Sequence, residues 1–141
     1  MEQAIGFHFE SITTFELPEE KLASWFIAVA DDHDYQIEEL SLVLCSDDYL
    51  HSLNVQYLDH NTLTDIITFD YNEGKQVIGE LYVSIERVKE NAQIHEVTFE
   101  NELHRVFVHG VLHLVGYKDK EAKDQLEMRS KEDYYLSLLD L

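Results

Sequence analysis

The sequence contains one cysteine and one proline in 141 residues. A single thiol, Cys45, cannot form an internal disulfide, which excludes a disulfide-stabilised secreted scaffold and favours a reducing compartment. No Pro/Gly/Ser-rich linker, internal repeat or low-complexity tract divides the chain, so we expect one domain spanning residues 1–141. A chain of this length buries enough surface to fold without disulfide or metal staples.

Basic residues are scarce. Ten Lys+Arg stand against 29 Asp+Glu, which gives a formal net charge of −19. This balance excludes a surface that is basic all over and binds nucleic acid through non-specific charge attraction. Any role with nucleic acid therefore requires a local basic patch, a metal ion or a basic partner.

Long apolar segments are also missing. The sequence has no uninterrupted apolar run near 18 residues, and Met1–Gly6 lacks the basic and apolar regions of a signal peptide. We therefore expect a cytoplasmic protein that does not associate with membranes.

The order of apolar patterns predicts an α+β fold. Predicted strands are Ala4–Glu10, Ile37–Cys45, Thr64–Phe69 and Val77–Ser84, the last two forming a hairpin across a turn that contains Asn72 and Gly74. Predicted helices are one that opens at Pro18, one from Ser46 to about Tyr57, and Ile85–Gln93, Phe99–Val115 and Glu121–Leu139. Strands early and helices late indicate a sheet with helices packed against it.

Two histidines within the fourth predicted helix carry the strongest chemical signal. His109 and His113 are four residues apart and therefore lie on one helix face, where both can bind one metal ion. Gly116 follows where the helix should end, so the chain can turn back and bring Asp119 to the ion. Two imidazoles and a carboxylate leave one position open, which is typical of a catalytic zinc site that lowers the pKa of a bound water to about 7.

The same pair has a simpler interpretation. Two histidines on an otherwise apolar helix can be core residues that hydrogen bonds satisfy, with no metal present. The residue after His109 is Gly110, which has no side chain, so the glutamate base of His-Glu-x-x-His zinc proteases is absent.

The chain resembles the YbeY family of bacterial metal-dependent endoribonucleases and rRNA maturation factors. The resemblance extends from about Ile37 to Leu139 and is carried by three segments. They are His109-Gly110-x-Leu112-His113-Leu114-x-Gly116-Tyr117, then Leu53-Asn54, Tyr57 and Thr64-Asp65-Ile66-Ile67-Thr68-Phe69, and Gly79-Glu80-Leu81-Tyr82-Val83-Ser84.

The resemblance implies a small mixed sheet packed with several helices, and one zinc ion per chain at the C-terminal end of a buried helix. It also implies cleavage of single-stranded RNA in 16S rRNA 3′-end maturation, with ribosomes or ribosomal proteins as partners and no role on DNA. The family pattern has three histidine ligands, of which His109 and His113 match two. The family's third histidine corresponds to Asp119 in this sequence. The aspartate that precedes that histidine in the family corresponds to Lys118. Aspartate is a competent zinc ligand, although its charge makes the ion a weaker Lewis acid.

A family arginine that contacts RNA phosphate falls on Leu58, which cannot hold a phosphate. The candidates to replace it are Arg105, His60, Lys118 and Lys120. We favour Arg105, which precedes His109 by four residues, as the catalytic cation beside His109 and His113. A salt bridge from Arg105 to Glu102 or another acid is the alternative.

Five of the ten basic residues fall in one segment, at Lys118, Lys120, Lys123, Arg129 and Lys131. They form either a phosphate-facing patch or a solvated helix with interleaved acids. The leading hypothesis is a zinc-dependent endoribonuclease. The alternatives are a non-catalytic ribosome-maturation module that binds a basic ribosomal protein, and a metal hydrolase of a small phosphorylated substrate.

Overall fold

Four strands and five helices account for most of residues 4–58 and 64–139, the part of the chain that the computed structural model describes. In chain order they are β1 (Ile5–Glu10), α1 (Glu19–Asp32), β2 (Gln36–Cys45), α2 (Asp47–Leu58), β3 (Ile66–Asp70), β4 (Gln76–Ser84), α3 (Ile85–Ile94), α4 (Phe99–Leu114) and α5 (Ala122–Leu138). No helix in these ranges is both long and apolar enough to cross a membrane.

The strands form one mixed sheet in the order β1-β2-β4-β3. β1 and β4 both run parallel to β2, whereas β3 pairs antiparallel with β4 through the predicted hairpin. Each parallel connection passes through helical segments, α1 after β1 and α2 after β2. β3 lies at the edge of the sheet, and residues 64–65, just before it, border the functional cleft described below.

Alternation along the strands divides the core between the two sheet faces. Alternate residues of β2 and β4, including Leu42 and Leu81, join the main core with α1, α3, α4 and α5. On the opposite face, Cys45 and Ile67 pack with Leu50 of α2. The main core therefore lies on the α4 face of the sheet.

The predicted α+β class and mixed sheet are confirmed, and most boundaries fall within one or two residues of those predicted. The apolar stripe of α1 is buried as expected. Pro18 precedes the helix at the cap position instead of occupying its first turn. β3 begins at Ile66 and not at Thr64, whose hydroxyl donates locally to the Ile66 carbonyl.

Candidate metal centre

Two glycines let α4 lie close against the sheet. A Cβ on Gly110 would come within 2.8–2.9 Å of Leu81 and Ile66 side-chain atoms, and one on Gly79 would come within 3.0 Å of Leu114. The glycine that stands where a zinc protease has its glutamate is therefore a packing contact here. This close approach fixes the height and rotation of α4, and with them the positions of His109 and His113.

The end of α4 is a glycine-terminated turn. Gly116 has φ +108°, its N–H donates to the His113 carbonyl, and the Tyr117 N–H donates to the Leu112 carbonyl. These two bonds form a Schellman motif, which reverses the chain at the helix end. Asn72, from the β3–β4 turn, donates its side-chain amide to the Leu114 carbonyl at 2.7 Å and ties the same end to the hairpin. The reversed chain then presents Asp119 to α4.

Three side chains converge at this point. His109 Nε2 and His113 Nε2 are 3.1 Å apart, and each lies 3.3 Å from Asp119 Oδ2. Two ligands about 2.0–2.1 Å from a tetrahedral zinc ion are about 3.3–3.4 Å from each other. The three atoms thus have the spacing of one face of a tetrahedral coordination sphere.

Hydrogen bonds on the far side of each imidazole determine which nitrogen faces the centre. His109 Nδ1 lies 2.6 Å from Glu132 Oε2, and His113 Nδ1 lies 3.0 Å from the Tyr117 carbonyl oxygen. A carboxylate and a carbonyl only accept hydrogen bonds, so we assign the proton of each neutral ring to Nδ1. Both Nε2 lone pairs therefore point at the other histidine and at Asp119.

The donor set fits a metal ion. Three lone-pair-bearing atoms lie within 3.1–3.3 Å of one another, and the assigned tautomers place no proton between them. Such an arrangement is unfavourable unless a metal cation, or a proton on one of the imidazoles, lies among the three atoms. Among the described residues, His109, His113 and Asp119 are the group of histidine, cysteine and acidic side chains close enough to hold one ion.

Glu132 organises the centre from α5. It is only 5% exposed, and its second oxygen accepts from Arg105 at 2.9 Å. Arg105 also donates to Asp133 at 2.7 Å. Arg105, which the sequence suggests as a phosphate ligand, thus has its guanidinium in two short ion pairs that join α4 to α5.

Nearby acids favour positive charge at the centre. Burial alone lowers the pKa of His109, but the contact with Glu132, followed by the charges of Asp119 and Asp65, raises it above its ordinary value. Burial, with smaller contributions from Glu102 and Glu132, raises the pKa of Asp65 despite the opposing effect of His109. The field that attracts a proton to His109 also attracts a metal cation.

The three ligands lie in a cleft of about 590 Å³ between α4 and the edge strand β3. Polar side chains just before and along β3 form the opposite wall, namely Thr64, Asp65, Thr68 and Asp70, and Asn54 from α2 also contributes. This cleft gives a substrate one route to the metal centre along the edge of the sheet.

A protein-family model described as Endoribonuclease YbeY matches residues 8–140. The chain belongs to the YbeY endoribonuclease family. Endoribonuclease YbeY of Flavobacterium johnsoniae is 46% identical over 135 residues, which cover 95% of this chain and 96% of the relative. Endoribonuclease YbeY of Cytophaga hutchinsonii is 45% identical over 140 residues, covering 98% of each.

A solved structure shares this fold. The solution structure of a Thermotoga maritima protein matches with a TM-score of 0.66 and 31% identity, over 94% of this chain and 87% of that one. The family model and the two relatives confirm the resemblance to the YbeY family that the sequence shows.

The structure brings together some of the site residues predicted from the sequence and separates others. His109, His113 and Asp119 converge, and Arg105 lies behind them against Glu132. Lys118 and Lys120 are exposed, and neither lines the described walls of the three clefts that border the ligands. The prediction for His60 lies outside the described residues.

Glu132 is the site residue that the sequence analysis missed. It lies among acidic and basic residues that alternate along the chain, a pattern typical of a solvent-exposed helix. The sequence signal for its burial is its spacing from Met128 and Tyr135, because residues four and three positions apart share one helix face. In the structure all three are buried.

Proposed function

We propose that this protein is a zinc-dependent endoribonuclease that cleaves single-stranded RNA in the cytoplasm during 16S rRNA 3′-end maturation and ribosome assembly. The observation that carries the proposal is the convergence of His109 Nε2, His113 Nε2 and Asp119 Oδ2 within 3.1–3.3 Å. Family membership supplies the reaction class. The expectation of single-stranded rRNA as substrate and of ribosomes as partners follows from the family resemblance.

The donor set favours zinc. Two imidazole nitrogens and one carboxylate oxygen are a common catalytic zinc set, which leaves one position open. When bound, the ion supplies Lewis-acid chemistry that polarises a phosphoryl oxygen or activates a water. Glu132 and the Tyr117 carbonyl orient the two imidazoles, so the ligands are already positioned before metal and substrate arrive.

Asp65 is the candidate group for proton transfer. It lines the cleft with the three ligands and is held by Asn91, whose side-chain amide lies 3.5 Å from Asp65 Oδ2. Burial raises the pKa of this carboxyl, which brings it closer to the range in which a group both accepts and donates protons. Asp65→Asn should lower kcat while leaving metal content unchanged, which distinguishes proton transfer from metal binding.

An RNA cleavage assay tests the proposal. Zinc-loaded protein should cut a single-stranded RNA, a chelator should abolish cleavage, and added zinc should restore it. His113→Ala should reduce the rate by at least about 100-fold, as expected for loss of a metal ligand. His8→Ala, a change at an exposed histidine of β1, is the matched control. Equal cleavage by chelated protein or by His113→Ala would overturn the proposal.

The second candidate is a ribosome-maturation module that acts by binding a basic ribosomal protein. The net charge of −19 favours it. Under this alternative, zinc-loaded protein cuts no RNA but binds a basic ribosomal protein with an affinity that falls as salt rises. Testing RNA and ribosomal protein side by side separates the two functions.

A further inference from the structure

A phosphate that approaches the centre meets an acidic surface. Asp65, Asp119 and Glu132 all border one cleft of about 330 Å³ between α3, α4 and α5. Asp119 also offsets one charge of any divalent ion bound there. A strand of RNA therefore needs a further cation beside the metal to offset its own charge.

Arg105 is a poor candidate for that cation. It borders the same cleft, but it already donates to Glu132 at 2.9 Å and to Asp133 at 2.7 Å. Its side chain is only 19% exposed. Moving it onto a phosphate would leave Glu132, which is buried, without a short-range cationic partner.

Arg129 is placed differently. It lies on α5 and borders two clefts, of about 580 and 330 Å³, which it shares with His109 and Asp119. Its side chain is 57% exposed. Arg129 therefore combines a solvent-accessible guanidinium with a position beside two of the three metal ligands.

The contact that Arg129 makes is easily exchanged. Its guanidinium lies 3.8 Å from Glu132 Oε1, an oxygen that Arg105 already contacts at 2.9 Å. The other Glu132 oxygen is held by His109 at 2.6 Å. Because Glu132 keeps both short partners when Arg129 moves, the release of Arg129 costs little.

We infer that Arg129 binds a phosphate of the RNA strand next to the one at the metal centre. This inference rests on the proposed function, and it gives the cleft a cation that can reach the RNA strand. A guanidinium can bind two phosphate oxygens at once, so Arg129 both neutralises the strand and fixes its direction across the centre.

The test compares Arg129→Gln with Lys123→Gln, which removes the same charge from an exposed position on α5 that lines none of these clefts. Affinity for a fluorescein-labelled phosphorothioate RNA, which resists cleavage, is measured by anisotropy on zinc-loaded protein over a series of KCl concentrations. Arg129→Gln should weaken binding about tenfold and reduce the slope of log K against log salt by about 0.7. Lys123→Gln should change both much less, and Arg129→Lys should recover part of the affinity.

Zinc content and Tm are measured on every variant, because a purely structural role would change them and leave the salt slope intact. Equal affinity and slope in Arg129→Gln and Lys123→Gln would overturn the inference while leaving cleavage by the wild type untouched. Wild-type protein that binds this RNA but does not cut an unmodified RNA of the same sequence would overturn the proposed function, and the slopes would still decide the role of Arg129. Wild-type protein that neither binds nor cuts would overturn both.

Discussion

Glu132 Oε2 lies 2.6 Å from Nδ1 of His109, although the two residues are 23 positions apart and belong to different helices. This short contact joins a buried carboxylate on α5 to a metal-ligand candidate on α4. It fixes the ring so that Nε2 faces His113 and Asp119. The orientation of the centre thus depends on how α5 packs against α4, as well as on the spacing within α4.

Glu132→Gln should weaken metal binding by about 10–100-fold, the usual effect of losing the carboxylate behind a histidine ligand. The amide oxygen of Gln can still accept a hydrogen bond from His109 Nδ1. The substitution nevertheless removes the negative charge that favours a cation at His109. Competition with a chromophoric chelator measures the affinity. Asp133→Asn, at the neighbouring exposed partner of Arg105, is the control and should bind zinc like the wild type. Wild-type affinity in Glu132→Gln would show that the carboxylate does not tune the centre.

Arg105→Gln should lower the free energy of unfolding by about 1.5–3 kcal/mol, because it leaves the buried Glu132 without its short ion pair. Urea denaturation measures the change. Arg129→Gln, which removes only a 3.8 Å contact, should cost less than about 0.5 kcal/mol. Equal losses in the two variants would contradict the positioning role of Arg105. A reduced salt slope for RNA binding with unchanged stability would instead support the phosphate contact that the sequence suggests.

His104 should make stability depend on pH. It is 6% exposed beside Trp25, and burial lowers its pKa below 6.5 even though Glu100 acts in the opposite direction. The unfolded chain therefore binds a proton at His104 at a higher pH than the folded chain does. The stability that comes from keeping His104 neutral and buried is fully present above about pH 6.5 and is lost as pH falls through the folded pKa. Unfolding free energies measured across this range should fall less steeply for His104→Gln than for the wild type. The same slope in both proteins would contradict a buried neutral His104.

Cys45 should be unreactive in the folded protein. Burial, followed by the charges of Asp47 and Glu10, raises the pKa of its thiol to about 12, and the thiol donates to the Val83 carbonyl. Because only the thiolate reacts, a disulfide reagent should modify Cys45 at the rate of unfolding and quickly in denaturant. Modification of native protein as fast as that of a free thiol would contradict this burial.

Local patterns were sufficient to predict the elements and the three candidate ligands. The spacing of His109 and His113 determines their shared face wherever α4 packs, and Gly116 marks the turn that returns Asp119. The pairing of β4 with β2 depends on contacts between segments far apart in the chain. The apolar pattern within one segment does not show which other segment it will contact. Glu132 escaped prediction for the same reason, since a carboxylate on α5 acquires its role only through its partner on α4.

Metal content per chain, measured by elemental analysis on tag-free protein purified without chelator, tests the central claim most directly. We expect about one zinc per chain in the wild type, a sharp loss in Asp119→Ala, and retention in Asp119→His, which restores an imidazole at the third position. A folded wild-type protein that contains no metal and takes up no added zinc, or an Asp119→Ala variant that retains its zinc, would contradict the His109, His113 and Asp119 centre.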